Sequence, residues 1–126
     1  MFDNTDIIHS YTRADAIRDG ALIDVTATAK EAGFRWPVAL TAAAWERCVA
    51  VPPGVECQDE AGRLWDVLYL LGLGIHRSDD GTEIRYGVHV RNDNREGVPP
   101  LVQLKAVCGP GDDGAPVITI MLPEED

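Results

Sequence analysis

Thr82-Glu83-Ile84-Arg85-Tyr86-Gly87-Val88-His89-Val90-Arg91, read TEIRYGVHVR, decides the fold. Its even positions Ile84, Tyr86, Val88 and Val90 are apolar, and its odd positions are charged, polar or glycine. Successive side chains of an extended chain point to opposite faces, so the alternation describes a strand with one face in a core and one in water. Just upstream the period is different. Leu64, Val67, Leu68 and Leu71 fall at i, i+3, i+4 and i+7, the spacing of one helix face, with Trp65 on the flank. That helix should start near Asp59-Glu60, whose charges suit its positive end, and stop near His76-Arg77, whose side chains suit its negative end. Leu64, Trp65, Leu68, Leu71, Ile84, Val88 and Val90 form the expected core.

Working outward, Asn92 to Pro100 is a loop, Leu101 to Cys108 a second strand, and Val117 to Leu122 a third. The intervening GPGDDGA, residues 109–115, is a turn whose chemistry favours antiparallel pairing. Toward the N-terminus, Asp6 to Tyr11 is β-branched enough for a short strand that could join the sheet as an edge. Thr12 and Asp15 match a capping box for a short helix ending at Gly20. Asp24 or Thr26 can cap a second helix that Gly33 closes, and Phe34-Arg35-Trp36-Pro37 is a rigid connector. Thr41 caps a third helix, AAAWERCVA, which Pro52-Pro53-Gly54 breaks. Helices first and a β-meander last predict an α+β fold, with the helices packed on one face of a C-terminal antiparallel sheet and residues 1–126 forming one domain.

A chain of 126 residues with 45% apolar and 25% charged content has enough core to stand without staples. Its formal net charge of −10 and its scattered eleven basic residues argue against direct nucleic-acid binding, which needs clustered lysine and arginine. The same charge would steer it toward a partner with a basic surface. Cys48, Cys57 and Cys108 are odd in number and irregular in spacing, and no apolar leader or span follows MFDNTD. The expectation is a cytoplasmic protein with free, mostly buried thiols.

Chemistry finds little purchase. No paired cysteine or histidine spacing suits a metal, and Gly111-Asp112-Asp113-Gly114 lacks the alternating ligands of a calcium loop. Two carboxylates in that turn would repel a phosphate. Ser10 beside His9 cannot form a dyad within one extended segment, and Cys48 sits among apolar helical neighbours that would raise its pKa. His76 complements a helix dipole, and His89 belongs on the exposed face of its strand. No cofactor or metal is expected, and the protein is read as a non-enzyme.

IIHSYTRADAIRDG, residues 7–20, resembles the first motif of ADP-ribosyltransferases, where a strand-end residue holds the nicotinamide ribose. The resemblance would lay His9 and Tyr11 or Thr12 onto the strand end and Gly20 onto the glycine that ends the following helix, with Tyr86 and a late glutamate, Glu124 or Glu125, completing the site. The plainer account is a strand tied to a capped helix. VTATAKEAGFRWPVALTAAAW, GRLWDVL and CGPGDDGAPVITIMLPEED resemble a family of small proteins carried on plasmids and integrated elements of proteobacteria, known only as a domain of unknown function. That resemblance implies an accessory protein of a mobile element.

Three functions follow. The first is an acidic protein that acts by protein binding, in counter-defence or plasmid maintenance, through loops and tails: Asn92, Asp93, Arg95 and Glu96; Asp112 and Asp113; and Glu124, Glu125 and Asp126. The last three should project as a cluster beyond Pro123, which ends the third strand. The alternative is an ADP-ribosyltransferase-like enzyme. The third is a structural domain that forms a homodimer through its sheet.

Overall fold

A computed structural model describes residues 10–77 and 81–126 of the chain. Among the described residues, four helices and a five-stranded mixed sheet make an α+β fold. The helices are α1 (Arg13–Asp19), α2 (Thr26–Glu31), α3 (Ala42–Cys48) and α4 (Glu60–Arg77). The strands are β1 (Leu22–Asp24), β2 (Val38–Thr41), β3 (Glu83–His89), β4 (Leu101–Pro110) and β5 (Pro116–Met121), in the spatial order β1-β2-β5-β4-β3. The proposed strand from Asp6 lies mostly outside the described residues.

The local chemistry read from the sequence operates. Thr12 and Asp15 form the capping box of α1, and Gly20 closes it at φ +84°, a left-handed conformation that suits glycine. Arg18, Thr12 and their hydrogen bonds hold the Asp15 carboxyl down at about 2. Thr41 Oγ1 accepts from Ala44 N–H at 3.1 Å and so caps α3. At α4, Asp59 accepts from Gly62 N–H at 2.6 Å. The second helix departs from expectation: its N-cap is Val25, with no side-chain cap bond, while Asp24 accepts from the Thr26 N–H at 3.1 Å.

The sheet is not all antiparallel. β2 runs parallel to β5, with Val38, Ala39 and Leu40 opposite Ile118, Thr119 and Ile120. The remaining pairs, β1 with β2, β5 with β4 and β4 with β3, are antiparallel. Residues 38–40 lie between the connector at 34–37 and the Thr41 cap and carry no strand signal in the sequence, yet with Thr41 they form a strand in the interior of the sheet. Their three leading side chains are fully buried, and a three-residue apolar run carries no period by which to recognise it. β1, only three residues long, escaped for the same reason.

Leu40, Leu68, Leu71, Leu104 and Ile120 are the largest fully buried side chains. The core around them draws Ala29 from α2, Ala44 and Cys48 from α3, and Leu64, Val67, Leu68 and Leu71 from α4. α1 contributes nothing to that cluster. It is anchored instead by Arg13, which donates to Thr119 Oγ1 at 2.6 Å and to the Ile118 carbonyl at 2.9 Å. Thr119 alternates with the core residues Ile118 and Ile120, so its side chain belongs to the other sheet face. A single helical layer therefore does not describe the packing. Leu64, Leu68, Leu71, Val88 and Val90 are buried as expected, Ile84 is half-buried, and Trp65 is not core at all, being 41% exposed.

Leu68→Ala should destabilise the fold by roughly 2–5 kcal/mol through the cavity it leaves, measured by urea denaturation. A second outcome concerns acid. Asp15 binds its proton less readily when folded than its ordinary value of 3.8 implies, so the folded form holds fewer protons in that range. Its contribution to α1 is present above about pH 4 and should fade as pH falls toward 2, an effect that Asp15→Asn abolishes in an acid titration followed by circular dichroism.

Candidate functional site

Three of the nine residues proposed for binding, Asn92, Asp112 and Glu125, tie separate elements of the fold together. Asp112, at the tip of the β4–β5 turn, accepts from the Arg13 and Ala14 N–H groups at 2.8 and 2.9 Å. It thereby satisfies two unpaired donors at the start of α1 from nearly a hundred residues away. Asp113 accepts from Ala115 N–H within its own turn at 3.0 Å.

The loop after β3 is similarly committed. Arg63, buried on α4, donates from Nε to the Cys48 carbonyl at 3.0 Å and from Nη1 to the Arg91 carbonyl at 3.1 Å. Its remaining nitrogen donates to Asn92 Oδ1 at 2.6 Å, and Asn92 in turn donates to the Arg47 carbonyl at 3.0 Å. Burial lowers the Arg63 pKa from its ordinary value. Asn94 bridges the Gly54 carbonyl and the Glu56 N–H, each at 2.8 Å. Asp93 accepts from Arg95 N–H at 3.0 Å and faces the Arg95 guanidinium at 3.8 Å. Asp93, Asn94, Arg95 and Glu96 are turned largely to solvent. The Arg63 clasp was missed in sequence because an arginine in an apolar helix face reads as a surface residue.

The C-terminal cluster does not project as a unit. Glu125 accepts from Thr41 Oγ1 at 2.7 Å and from Leu122 N–H at 2.8 Å, and Lys105 Nζ donates to its carbonyl at 2.6 Å. Glu124 and Asp126 are exposed. Pro123 does end the strand as expected, but the chain then turns back onto the start of α3, where a carboxylate complements the helix dipole.

Of the groups proposed for dinucleotide chemistry, Tyr86 and Glu125 are not brought together. Tyr86 is half-buried beneath α4 and donates to the Val67 carbonyl at 3.1 Å, and burial pushes its pKa far above the ordinary value. Lys105, which holds Glu125, alternates with Leu104, the β4 partner of Tyr86, so Glu125 is held from the opposite sheet face. His9 lies outside the described residues. Tyr11 donates to Asp19 at 3.1 Å, which pairs the two ends of α1. Among the described residues no cluster of histidine, cysteine, aspartate or glutamate could hold a metal ion. Of the thiols only Cys48 is buried, its pKa pushed up to about 11 by that burial; Cys57 is exposed and Cys108 half-buried. His89 is exposed, with Nδ1 2.8 Å from the Pro99 carbonyl.

A different surface stands out. Trp65, Tyr69, Gly72 and His76 follow one another at i, i+4, i+7 and i+11 along one flank of α4. Beside the C-terminal half of that flank lies a groove of about 380 Å³ lined by Phe34, Arg35, Trp36, Gly72, Ile75 and His76. Trp36, Trp65, Tyr69 and Ile75 are each 39–56% exposed. Gly72 leaves the groove floor open, since a Cβ there would meet nothing within 4 Å. A signal for this surface was present: Trp65 and Tyr69 sit four apart and outside the buried 64-67-68-71 face.

An α+β domain without an assembled catalytic or metal constellation among its described residues, but with an aromatic groove on its longest helix, is the class that this geometry defines. The chain belongs to the Family of unknown function (DUF6573), whose model matches residues 1–126. No curated protein and no solved structure is significantly similar to it. Among the described residues no helix is long and apolar enough to cross a membrane.

The three tail acids should separate in mutagenesis. Glu124→Gln and Asp126→Asn are expected to leave stability within about 0.5 kcal/mol of the parent. Glu125→Ala, which strands the Thr41 hydroxyl and the Leu122 N–H, should cost about 1–3 kcal/mol in urea denaturation.

Proposed function

We propose that this protein is a non-catalytic binding module, a cytoplasmic accessory factor of proteobacterial mobile elements that acts by gripping a protein with a basic surface. Counter-defence or plasmid maintenance is the role that fits such a factor. The observation that carries the proposal is the row of exposed aromatics beside an open groove. Tryptophan and tyrosine supply large contact area at little conformational cost, and they dominate the energetics of protein interfaces. Few reasons internal to the fold would leave Trp36, Trp65, Tyr69 and Ile75 all in water.

The charge supports the same conclusion in a different way. A net charge of −10 raises the encounter rate with a basic surface, whereas the aromatic groove sets how long the complex lasts. Asp66 and Glu31, both exposed, flank the aromatic residues, and Glu96, Asp113, Glu124 and Asp126 add to the field from further away.

Two variants test the groove. Tyr69→Ala removes an anchor, and Gly72→Arg fills the floor with a long cation while replacing a poor helix former. Both should melt within a few degrees of the parent. The protein captured from a proteobacterial lysate by the parent chain should be lost with either variant, and its capture should weaken as salt rises from roughly 0.05 to 0.5 M. Retention by both folded variants, or consumption of nicotinamide dinucleotide by the parent chain, would reject the proposal.

A further inference from the structure

β3 is the seven-residue outer strand of the sheet, and among the described residues no strand pairs with its free side. The opposite edge, β1, is only three residues long. The ladder shows which backbone groups face outward. Cys108 N–H donates to the Thr82 carbonyl at 2.9 Å and Val90 N–H to the Pro100 carbonyl at 3.0 Å, and both contacts continue the β3–β4 register. Even-numbered residues therefore turn their N–H and C=O toward β4, while Glu83, Arg85, Gly87 and His89 turn theirs outward. Such an edge is a template for another strand.

The edge is complementary to itself. Two copies paired antiparallel about Tyr86 align all seven strand residues. Glu83 then stands opposite His89 of the second copy, and Arg85 stands opposite Gly87. Leu101, 52% exposed, lies over Gly87 and offers the arginine stem an apolar seat. Neighbouring registers align fewer strand residues: centring on Gly87 sets Glu83 opposite Arg91 but places Arg85 against His89 and aligns only residues 85–89 of the strand. Centring on Arg85 sets that residue against itself, and centring on Val88 sets Glu83 against Asp93 and Arg85 against Arg91. Centring on Ile84 keeps opposite charges together but aligns only residues 83–85 of the strand.

Local charge removes the main objection to self-pairing. The chain as a whole carries −10, and two such surfaces should repel. Among the described residues, however, the charged groups lining the groove of about 460 Å³ between α4 and β3 are Arg77, Arg85 and Glu83, with Leu70, Leu73 and Ile84 between them. Charged side chains on an edge ordinarily guard it against pairing. Here the guards Glu83 and Arg85 already pair with each other at 3.0 Å, and a two-fold copy sets no like charges opposite one another along the strand.

We infer that the protein forms a two-fold symmetric homodimer in which the β3 strands of two copies pair antiparallel about Tyr86, extending the five-stranded sheet to ten. The interface is isologous, with the same patch presented by each copy. It stands apart from the aromatic groove, which occupies the other flank of α4 and stays open. A dimer would therefore display that groove twice and gain avidity for a partner with repeated sites.

Sedimentation equilibrium on the full chain, from about 1 to 100 µM, should show a species of twice the 13.7 kDa chain mass. Arg85→Pro should give a folded monomer, because the Arg85 N–H points outward and its loss leaves the β3–β4 ladder intact. Glu83→Lys should weaken dimerisation about tenfold or more, and adding His89→Glu should restore it by exchanging the pair. Mixing Glu83→Cys with His89→Cys should yield a disulfide between chains that neither variant forms with itself, since facing residues lie within bridging distance. Should Arg85→Pro fail to fold, the charge exchange and the cysteine mixture decide. A parent chain that stays monomeric throughout that range overturns the inference, even if its edge takes up a foreign strand. So does a dimer that survives Arg85→Pro in folded form, ignores the charge exchange or gives no mixed disulfide.

Discussion

The parallel contact between β2 and β5 is the constraint on which the rest of the structure depends. It is the hydrogen-bonded junction between the N-terminal pair β1-β2 and the C-terminal meander β5-β4-β3. Val38, Ala39 and Leu40 are fully buried, so this segment is covered on both faces as interior strands of mixed sheets are. Its neighbours inherit their positions from it. Thr41 ends β2 and caps α3, and the Pro37 carbonyl just before it accepts from Ile118 N–H at 2.9 Å. A slip of one residue here would exchange the two faces of the strand and send Leu40 away from Leu68 and Ile120.

Around that junction the acidic surplus does structural work that composition conceals. Asp15 and Asp112 satisfy the first turn of α1, Asp59 the first turn of α4, and Glu125 reaches the start of α3 through Thr41. Carboxylates at these ends accept from otherwise unpaired N–H groups and meet the positive end of the helix dipole. Two of them, Asp112 and Glu125, are long-range in sequence, so each also fixes one element against another. The Arg63 clasp is the cationic counterpart. Its guanidinium is buried among backbone carbonyls and an asparagine oxygen, and it ties α4 to the end of α3 and to the loop after β3.

These commitments redistribute the surface available for recognition. Asn92, Asp112 and Glu125 are occupied within the fold, whereas Glu96, Glu124 and Asp126 remain toward solvent. The aromatic flank of α4 and the β3 edge lie on opposite sides of one helix. One offers side-chain area and the other offers backbone hydrogen bonds, which are separate sources of affinity. The same helix is thus the boundary between two surfaces of different chemistry, and its 64-67-68-71 face anchors both to the core.

The sequence by itself determined the elements whose signals are local. The 3.6-residue period placed α4, the two-residue period placed β3, and short-range partners such as Thr12 with Asp15 and Thr41 with Ala44 N–H placed the starts of α1 and α3. Tertiary structure alone decided the rest. Three apolar residues, Val38 to Leu40, have no period, so only the presence of β5 beside them makes a strand. The position of Trp65 on the helix flank did not reveal whether another element would cover it. Asp112, Asn92 and Glu125 looked like free polar groups of loop and tail because their partners lie tens of residues or more away, and a hydrogen bond across that separation leaves no trace in neighbouring positions. Local backbone preference and periodicity are encoded within a few residues, but burial and long-range pairing depend on which surfaces the completed fold brings together.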